Sequence, residues 1–318
     1  MNNIKSILLV VPVIAISLFS SCDDNDYKDQ LPSIAAIAVE NPDFSTLEAA
    51  AILGGVAGTL SSNNPNSADG KYTVFAPNNA AFAKLGLTDA GSLGTLSQTF
   101  LTNTLLYAVS NGTIGSSGFN GISNSALGPQ RRFIDRGTDK YINGSKIIAS
   151  NIQAANGTVH AIDKVLLGTG VNIVQSAILL QTSKVFKNPE LTFLVQAVVS
   201  SGLAGVLSDP NNNFTVFAPT DAAFKAAGFA NVAAIAALSQ STLQSILLNS
   251  AVVGGKFTSE QTALTETTAG GGTLTYSALS NGTFTVKSNG IMSPANMVIP
   301  DIKCSNGVVH VIDKILLP

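Results

Sequence analysis

Two stretches of the chain repeat apolar side chains at the three- and four-residue spacing of an amphipathic helix. Phe44, Leu47 and Ala51 form the first pattern. The second pattern covers residues 191–199, where Leu and Val take the corresponding positions. Both stretches therefore predict helices that pack one face against a core.

Each helix pattern is followed by the pentapeptide Thr-Val-Phe-Ala-Pro. Its β-branched and aromatic residues predict a strand, which the proline ends because it has no N–H to donate to a ladder. Asn78 and Thr220 then predict the N-caps of short helices that turn a phenylalanine inward. The positions that define this motif are Thr73, Phe75, Pro77 and Phe82 in the first copy and Thr215, Phe217, Pro219 and Phe224 in the second.

A second motif, Asn-Gly-x-Val-His-x-Ile-Asp-Lys, is present at residues 156–164 and again at 306–314. Asn-Gly favours a hairpin turn of type I′, in which both central residues have positive φ, so a strand is expected to follow. That strand is apolar except for its histidine, which indicates cover on both faces.

The two motifs recur in the same order, which indicates a duplication of whole domains because the period is far longer than that of a solenoid repeat. Glycines flank Thr169 near the midpoint of the chain. We therefore predict one domain over residues 31–168 and another over residues 171–318. Alternating helix and strand patterns predict α+β domains with a mixed or antiparallel sheet under a helical layer.

The first 22 residues predict an export signal. Lys5 gives a short positive region, residues 7–19 are an apolar run interrupted by Pro12, and two serines precede Cys22. The apolar run is too short to cross a bilayer as a helix, which takes roughly 20 residues. We interpret residues 1–22 as a signal peptide.

The residues before Cys22 resemble the lipobox of bacterial lipoproteins, with Phe19 where leucine is usual. The resemblance implies that Cys22 is lipidated and that the protein is an exported outer-membrane lipoprotein exposed at the cell surface. An ordinary secretory signal with an incidental cysteine is the alternative. Residues 23–30 are rich in aspartate and predict an acidic tether, either a plain spacer or a surface-export signal.

The two duplicated motifs resemble the hallmarks of the fasciclin family, and the resemblance covers residues 31–318. It implies two tandem fasciclin-like domains, each a wedge-shaped β-sandwich of about seven strands with several helices. It also implies a role in extracellular adhesion or matrix attachment, without known catalysis in most members.

Many adhesive members of that family carry a Tyr-His pair linked to integrin-dependent adhesion. Here Tyr107 is followed by Ala108, and the matching stretch of the second half, residues 248–252, has neither tyrosine nor histidine. The absence argues against an animal-type integrin mechanism. Asp301 and Ile302 resemble part of another integrin-recognition peptide, so the candidate adhesion residues are Tyr107, Asp301 and Ile302.

His160 and His310 are the two histidines of the chain, and each holds the same place in its own half. A catalytic pair would have to converge with an acid or a nucleophile, whereas equivalent positions of tandem domains ordinarily lie far apart. We predict that both imidazoles are buried and structural. Asp163 and Asp313 are predicted to make strand-end hydrogen bonds, each followed by a solvated lysine.

Composition and the remaining motifs exclude several functions. The 318 residues carry a net charge of −2 and scattered basic residues, so no basic stripe is available for nucleic acid. Cys304 has no disulfide partner if Cys22 is lipidated, and Ala154 at the equivalent place indicates a small buried residue. No phosphate-binding loop, zinc helix or calcium loop is present, so neither a cofactor nor a metal is expected. Residues 270–272, all glycine, predict a hairpin tip.

These observations favour a non-enzymatic surface module that attaches the cell to another cell, a matrix protein or a polysaccharide through its outer loops. The alternatives are a structural scaffold of the envelope and, third, a hydrolase accessory to glycan uptake. Homophilic contact between copies is compatible with the same composition.

Overall fold

The structure is a computed structural model that describes residues 31–182 and 191–318. Residues 31–318 form one compact unit. The predicted signal peptide, the acidic tether and Cys22 lie outside the described residues.

The helices of the two halves follow the same order. Those of the first half are α1 (Ile34–Glu40), α2 (Ser45–Leu53), α3 (Ala57–Ser61), α4 (Asn79–Ala83), α5 (Ala90–Leu93) and α6 (Gln98–Tyr107). Those of the second half are α7 (Ile173–Thr182), α8 (Thr192–Ser201), α9 (Ala204–Ser208), α10 (Asp221–Ala226), α11 (Val232–Ala236) and α12 (Gln240–Asn249). Short 3₁₀ turns occur at Pro42–Phe44, Ser116–Gly118 and Thr258–Glu260.

The strands also repeat. The first series is β1 (Tyr72–Pro77), β2 (Val109–Asn111), β3 (Ile122–Ser123), β4 (Arg131–Arg136), β5 (Asp139–Ile142), β6 (Ser145–Ala154), β7 (Gly157–Ile162) and β8 (Leu167–Gly168). The second series is β9 (Phe214–Pro219), β10 (Ala251–Val253), β11 (Thr265–Thr267), β12 (Thr273–Tyr276), β13 (Val286–Ser288), β14 (Met297–Cys304) and β15 (Gly307–Ile312).

The first half is built on a mixed sheet in the order β2-β1-β7-β6-β5-β4-β3. Strand β7 runs parallel to β1 and antiparallel to β6, and all of its residues are buried. One face of the sheet packs Val74 and Val159 against α1, α2 and α6, while the other packs Phe75 against Phe119 and Phe133. This arrangement confirms the α+β class and the strand covered on both faces.

The second half repeats the design with two sheets, in the orders β10-β9-β15-β14-β8 and β11-β12-β13. Strand β15 runs parallel to β9 and antiparallel to β14, as β7 does with its neighbours. The glycine run at residues 270–272 lies between the paired strands β11 and β12, so the predicted hairpin is confirmed.

Strand β8 follows the first half in sequence but pairs with the second. Leu167 and Gly168 lie parallel to Ile302 and Lys303 of β14. Thr169 extends the contact, since its N–H donates to the Lys303 carbonyl at 3.0 Å. The residues that end the first half thus add an edge strand to the sheet of the second.

The predicted helix starts are confirmed. The Asn78 side chain accepts a hydrogen bond from the Ala81 N–H, and the Thr220 side chain accepts one from the Ala223 N–H. The phenylalanine one turn later, Phe82 in α4, is 2 % exposed. Capping satisfies an N–H that the first helical turn leaves without a partner.

The prediction of type I′ turns at Asn-Gly is wrong. The turn before β7 is formed by Ala155 and Asn156, neither of which has positive φ, and Gly157 is already the first strand residue. Glycine is needed there because a Cβ atom would overlap the Tyr72 carbonyl of the neighbouring parallel strand. The Asn-Gly pair therefore marks the start of the strand, and its glycine is required for close packing and not for the conformation of the turn.

Asn156 joins the turn to the helical layer. Its Oδ1 accepts from the Ile34 N–H at 2.9 Å, and its Nδ2 donates to the Leu60 and Ser62 carbonyls at 2.8 and 2.7 Å. Asn306 makes the same three contacts in the second half, to Ile173, Leu207 and Asp209. A buried amide thereby satisfies backbone groups at the start of one helix and the end of another.

Candidate functional site

His160 is buried and uses both ring nitrogens. Its Nδ1 accepts from the Asn151 N–H at 3.1 Å, and its Nε2 lies 2.7 Å from the Ile114 carbonyl. Because a backbone N–H points at Nδ1, the proton must be on Nε2 and the ring is neutral. The ring stacks on Phe75 with 5.3 Å between centroids.

His310 repeats this geometry. Its Nδ1 accepts from the Asp301 N–H at 3.0 Å, and its Nε2 lies 3.0 Å from the Lys256 carbonyl. The ring stacks on Phe217. Each histidine therefore holds a bulge of the preceding strand to a loop, with no nitrogen left for proton transfer.

Burial lowers the pKa of both histidines because desolvation disfavours the charged imidazolium. At His160 the hydrogen bond to the Ile114 carbonyl partly opposes the shift. At His310 the Asp301 carboxylate opposes it, with Oδ1 3.9 Å from Nδ1. The two histidines occupy separate halves and do not converge on one cleft.

Residues bound by the histidines have a left-handed backbone. Asn151 has φ of 61° and Asp301 has φ of 65°, and each lies where the strand pairing shifts register. Each side chain then binds the start of a 3₁₀ turn: Asn151 Oδ1 accepts from the Ser116 N–H at 2.9 Å, and Asp301 Oδ1 accepts from the Thr258 N–H at 2.6 Å. The bulge is thus held in two ways. The histidine accepts from the backbone N–H of the bulged residue, and the side chain of that residue binds the 3₁₀ turn.

The threonines of the first motif hold the same loops. Thr73 Oγ1 donates to the Gly112 carbonyl at 2.7 Å and accepts from the Ile114 N–H at 2.8 Å. Thr215 does the same with Gly254 and Lys256. The remaining motif residues are core: Phe75, Phe82, Phe217 and Phe224 are buried, and Pro77 and Pro219 end their strands.

Asp163 and Asp313 make the strand-end hydrogen bonds expected of them. Asp163 Oδ1 accepts from the Lys146 N–H at 2.7 Å, and Asp313 Oδ1 accepts from the Asn296 N–H at 2.7 Å. The expectation that both following lysines are solvated is wrong for the first half. Lys164 is only 6 % exposed.

Lys164 forms a buried ion pair with Asp301 of the second half. The Lys164 Nζ to Asp301 Oδ2 distance is 2.6 Å, and the ammonium also donates to Thr258 Oγ1 and to the Gly282 carbonyl at 2.9 and 2.6 Å. All three donors of the ammonium therefore have acceptors. We call Lys164, Asp301, Thr258 and Gly282 the junction cluster.

Three further features lie at the boundary between the two halves. Gly144 packs so closely on the Asp301 carboxylate that a Cβ atom would overlap it. Arg132 Nη2 donates to Glu260 Oε2 and to the Gly255 carbonyl, both at 2.7 Å. A cavity of about 210 Å³ lies beside the ion pair between the two halves.

The candidate adhesion residues are not at the surface, so that prediction is wrong in its structural premise. The Tyr107 side chain is 0 % exposed, and its hydroxyl accepts from Asn143 Nδ2 at 2.6 Å. Asp301 is 7 % exposed and belongs to the junction cluster, while Ile302 is 0 % exposed in the core. None of the three therefore forms part of an exposed surface.

Arg131 was missed by the sequence reasoning. It is 0 % exposed, donates to the Tyr107 and Asn124 carbonyls at 2.8 and 2.7 Å, and lies over the Phe75 ring. Burial lowers the pKa of its guanidinium to about 10. Its position in an alternating strand gave no signal, because arginine is expected on the solvated face.

Cys304 is fully buried, and its thiol lies 3.8 Å from the Ile302 carbonyl. Burial raises the pKa of the thiol, which keeps it protonated and unreactive. Within the described residues, no group of three or more His, Cys, Asp or Glu side chains is arranged to hold a metal ion. No helix of the described residues has the length and apolarity of a transmembrane span.

Both halves of the chain match one family model. The fasciclin domain model matches residues 42–168 and 189–318, together well over half of the chain. The chain belongs to the fasciclin domain family, as two tandem copies.

Bacterial proteins are among the relatives of this chain. The chain is 34 % identical over 140 residues to immunogenic protein MPB70 of Mycobacterium bovis, covering 42 % of this chain and 68 % of that protein. It is also 34 % identical over 140 residues to cell surface glycolipoprotein MPB83 of the same organism, of which the match spans 60 %. Protein sll1483 of Synechocystis is 35 % identical over 144 residues, covering 44 % of this chain and 75 % of that protein.

Among solved structures, the chain matches a FAS1 domain pair from the insect cell adhesion molecule fasciclin I. It is 16 % identical in sequence, with a TM-score of 0.39, and the match covers 89 % of this chain and 96 % of that one.

The junction cluster yields a prediction for Lys164. We expect Lys164→Met to lower the free energy of unfolding by about 3 kcal/mol or more, because Asp301 would be left charged and buried without its partner. Lys314→Met is the matched control, since Lys314 bonds only exposed groups at Ser293 and Pro294, and should cost less than about 1 kcal/mol. Urea unfolding measures both, and equal losses in the two variants would contradict the assignment.

The buried histidines yield a prediction for pH. The folded pKa of His160 is lowered, so the unfolded chain binds a proton more readily and stability should fall as pH drops through about 6.5. Stability attributed to this residue is fully present above that pH. Urea unfolding between pH 8 and pH 5 should show a shallower loss for His160→Gln than for the unsubstituted protein. Parallel pH profiles would show that His160 is not the group responsible.

Proposed function

We propose that the protein is a lipid-anchored module of the cell surface that attaches the cell to a neighbouring cell, a matrix protein or a polysaccharide. Membership of the fasciclin domain family supports this function, as does similarity to MPB83, whose name describes a cell surface glycolipoprotein. The module acts by binding and not by catalysis.

The junction cluster is the observation that carries the proposal. Lys164 and Asp301 are each 7 % exposed at the side chain and saturated with hydrogen bonds, and strand β8 pairs with β14 beside them. Two domains fixed in this way hold their outer loops at a constant spacing. A ligand that contacts both domains gains avidity, because the second contact is intramolecular and little ordering is needed.

The chemistry of the described residues favours binding over catalysis. His160 and His310 have both ring nitrogens engaged by backbone groups. The Cys304 thiol is buried and its pKa is raised. A hydrolase needs a base within hydrogen-bond reach of a substrate proton, and these side chains offer no such atom to a cleft.

The anchor is proposed from the residues around Cys22. An acylated Cys22 would hold the protein durably at a membrane, since each buried methylene of an acyl chain contributes about 0.8 kcal/mol. Residues 23–30 would then form a charged tether between the membrane and the folded unit that begins at Leu31.

Exchange of each cysteine tests the anchor. Cys22→Ser should move the protein from the membrane fraction to the medium or periplasm and abolish labelling by a radioactive or clickable fatty acid. Cys304→Ala is the matched control, because Ala154 fills the equivalent place in the first half, and it should stay in the membrane fraction and keep the label. Retention of label in Cys22→Ser would refute lipidation at this residue.

Competition with the soluble fragment 31–318 tests attachment. Deleting residues 31–318 while keeping the tether should reduce attachment of the cells to their ligand surface. Excess soluble fragment should compete with the unaltered protein, and fragment carrying Lys164→Met should compete less well than fragment carrying Lys314→Met. Attachment that survives the deletion unchanged would contradict the proposal, and fixed cross-links to envelope neighbours would then favour a scaffold.

A further inference from the structure

The first half contains an apolar cavity of about 250 Å³. It lies between α1, α2 and α3 on one side and strands β1 and β7 on the other. Its lining is predominantly aliphatic, as shown by Ile34, Ile37, Leu47, Val56, Leu60 and Val159. Within the described residues, none of the buried polar atoms that lack a partner belongs to this lining.

The cavity reaches the sheet itself. Val74, Phe75 and Val159 line it and are 5 %, 0 % and 2 % exposed. At the other end, Val39 and Ile52 also line it and are 61 % and 63 % exposed, so an opening lies between α1 and α2. A volume of about 250 Å³ suits a small ligand and not a helix of another protein, whose diameter with side chains is about 10–12 Å.

The second half serves as an internal comparison. Ile34 and Ile173 occupy equivalent places, since each N–H is bound by the asparagine of the second motif. The corresponding space, lined by Ile173, Leu207 and Val216, measures only about 30 Å³. The cavity is therefore not a general consequence of the fold.

Exchanges among the lining residues contribute to the difference. Val174, Val195 and Val198 line the small cavity of the second half, whereas the first half has Ala35, Glu48 and Ala51 at these positions. Smaller side chains at the first and third positions leave the space open. A cavity of this kind costs stability because its lining loses packing contacts, and a ligand that filled it would restore those contacts.

The chemistry of the lining limits that occupant. An apolar cavity of about 150 Å³ stays dry and binds benzene, and this cavity is larger. Glu48 is half-buried and carries the only charge among the described lining residues. A carboxylate at that place repels an anionic end group and accepts a hydrogen bond from a hydroxyl or an ammonium.

We propose that the first domain binds an unbranched alkyl chain with an uncharged or cationic polar end, which enters between α1 and α2 and buries its chain against β1 and β7. The polar end lies beside Glu48. This site is separate from the outer loops and does not depend on the proposed attachment function.

Calorimetric titration of fragment 31–318 with 1-decanol tests the site. We expect saturable binding of one decanol per chain and at least tenfold weaker binding of decanoate at pH 7. Ala51→Leu fills the cavity and should reduce decanol affinity at least tenfold while raising the melting temperature. Ala226→Leu, the same exchange at an exposed helical position, is the matched control and should bind as the unsubstituted fragment does.

Two further variants keep the test decisive. Ala51→Val, which copies Val198 of the second half, replaces Ala51→Leu if the larger side chain prevents folding. Glu48→Gln removes the charge that repels decanoate, so the affinities for decanol and decanoate should become more similar. The proposal is overturned if decanol binds without saturation, if the filled variants bind it as tightly as the control, or if decanoate binds as tightly as decanol.

Discussion

The ion pair between Lys164 and Asp301 is the contact on which the fixed relation of the two halves depends. Two charges taken out of water cost several kcal/mol each, and their attraction offsets this only when every remaining donor and acceptor is also satisfied. Thr258 and the Gly282 carbonyl complete that set here. The pair therefore specifies one arrangement of the domains, because any shift would leave a buried charge without a partner.

The ion pair is built on a contact that both halves share. In each half a left-handed residue of the bulged strand binds the N–H of a 3₁₀ turn, through Asn151 to Ser116 and through Asp301 to Thr258. The amide of Asn151 is satisfied locally by Ser116. The carboxylate of Asp301 keeps a second oxygen, which accepts from Lys164. The amide of Asn151 thus bonds within its own domain, whereas the carboxylate of Asp301 at the equivalent position also forms an ion pair with the other domain.

Duplication also allowed the two cores to diverge. The hydrogen bonds of the two histidines, of the threonines of the first motif and of the asparagines of the second motif are the same in both halves. Each of them satisfies backbone groups that have no partner within the helices and strands. Side chains under the helical layer carry no such obligation and differ in volume. The first half keeps a cavity of about 250 Å³ where the second half keeps only about 30 Å³, so the two copies differ in the space that the proposed ligand would fill.

The sequence by itself determined the duplication, the α+β class and the strand covered on both faces. It also determined helices α2, α4, α8 and α10, with the N-caps of α4 and α10. These follow from local patterns of apolar spacing, β-branched residues and capping side chains, which act over a few residues. It located the Asn-Gly pairs but predicted the wrong turn type. The glycine is required by close packing against the Tyr72 carbonyl, which is far away in the chain. Tyr107 and Asp301 were candidate adhesion residues from the family resemblance, and their burial depends on contacts with Asn143 and Lys164, which are distant in the chain. Ile302 was a third candidate, and it lies in the core.

Only the tertiary structure decided which lysine is buried. Lys164 and Lys314 stand in the same local sequence, yet one lies in the junction cluster and the other bonds exposed groups. The cavity was equally hidden, since it depends on volumes summed across α1, α2 and the sheet. Burial and ion pairing between distant segments are set by how the two domains pack, and no pattern along the chain encodes that packing.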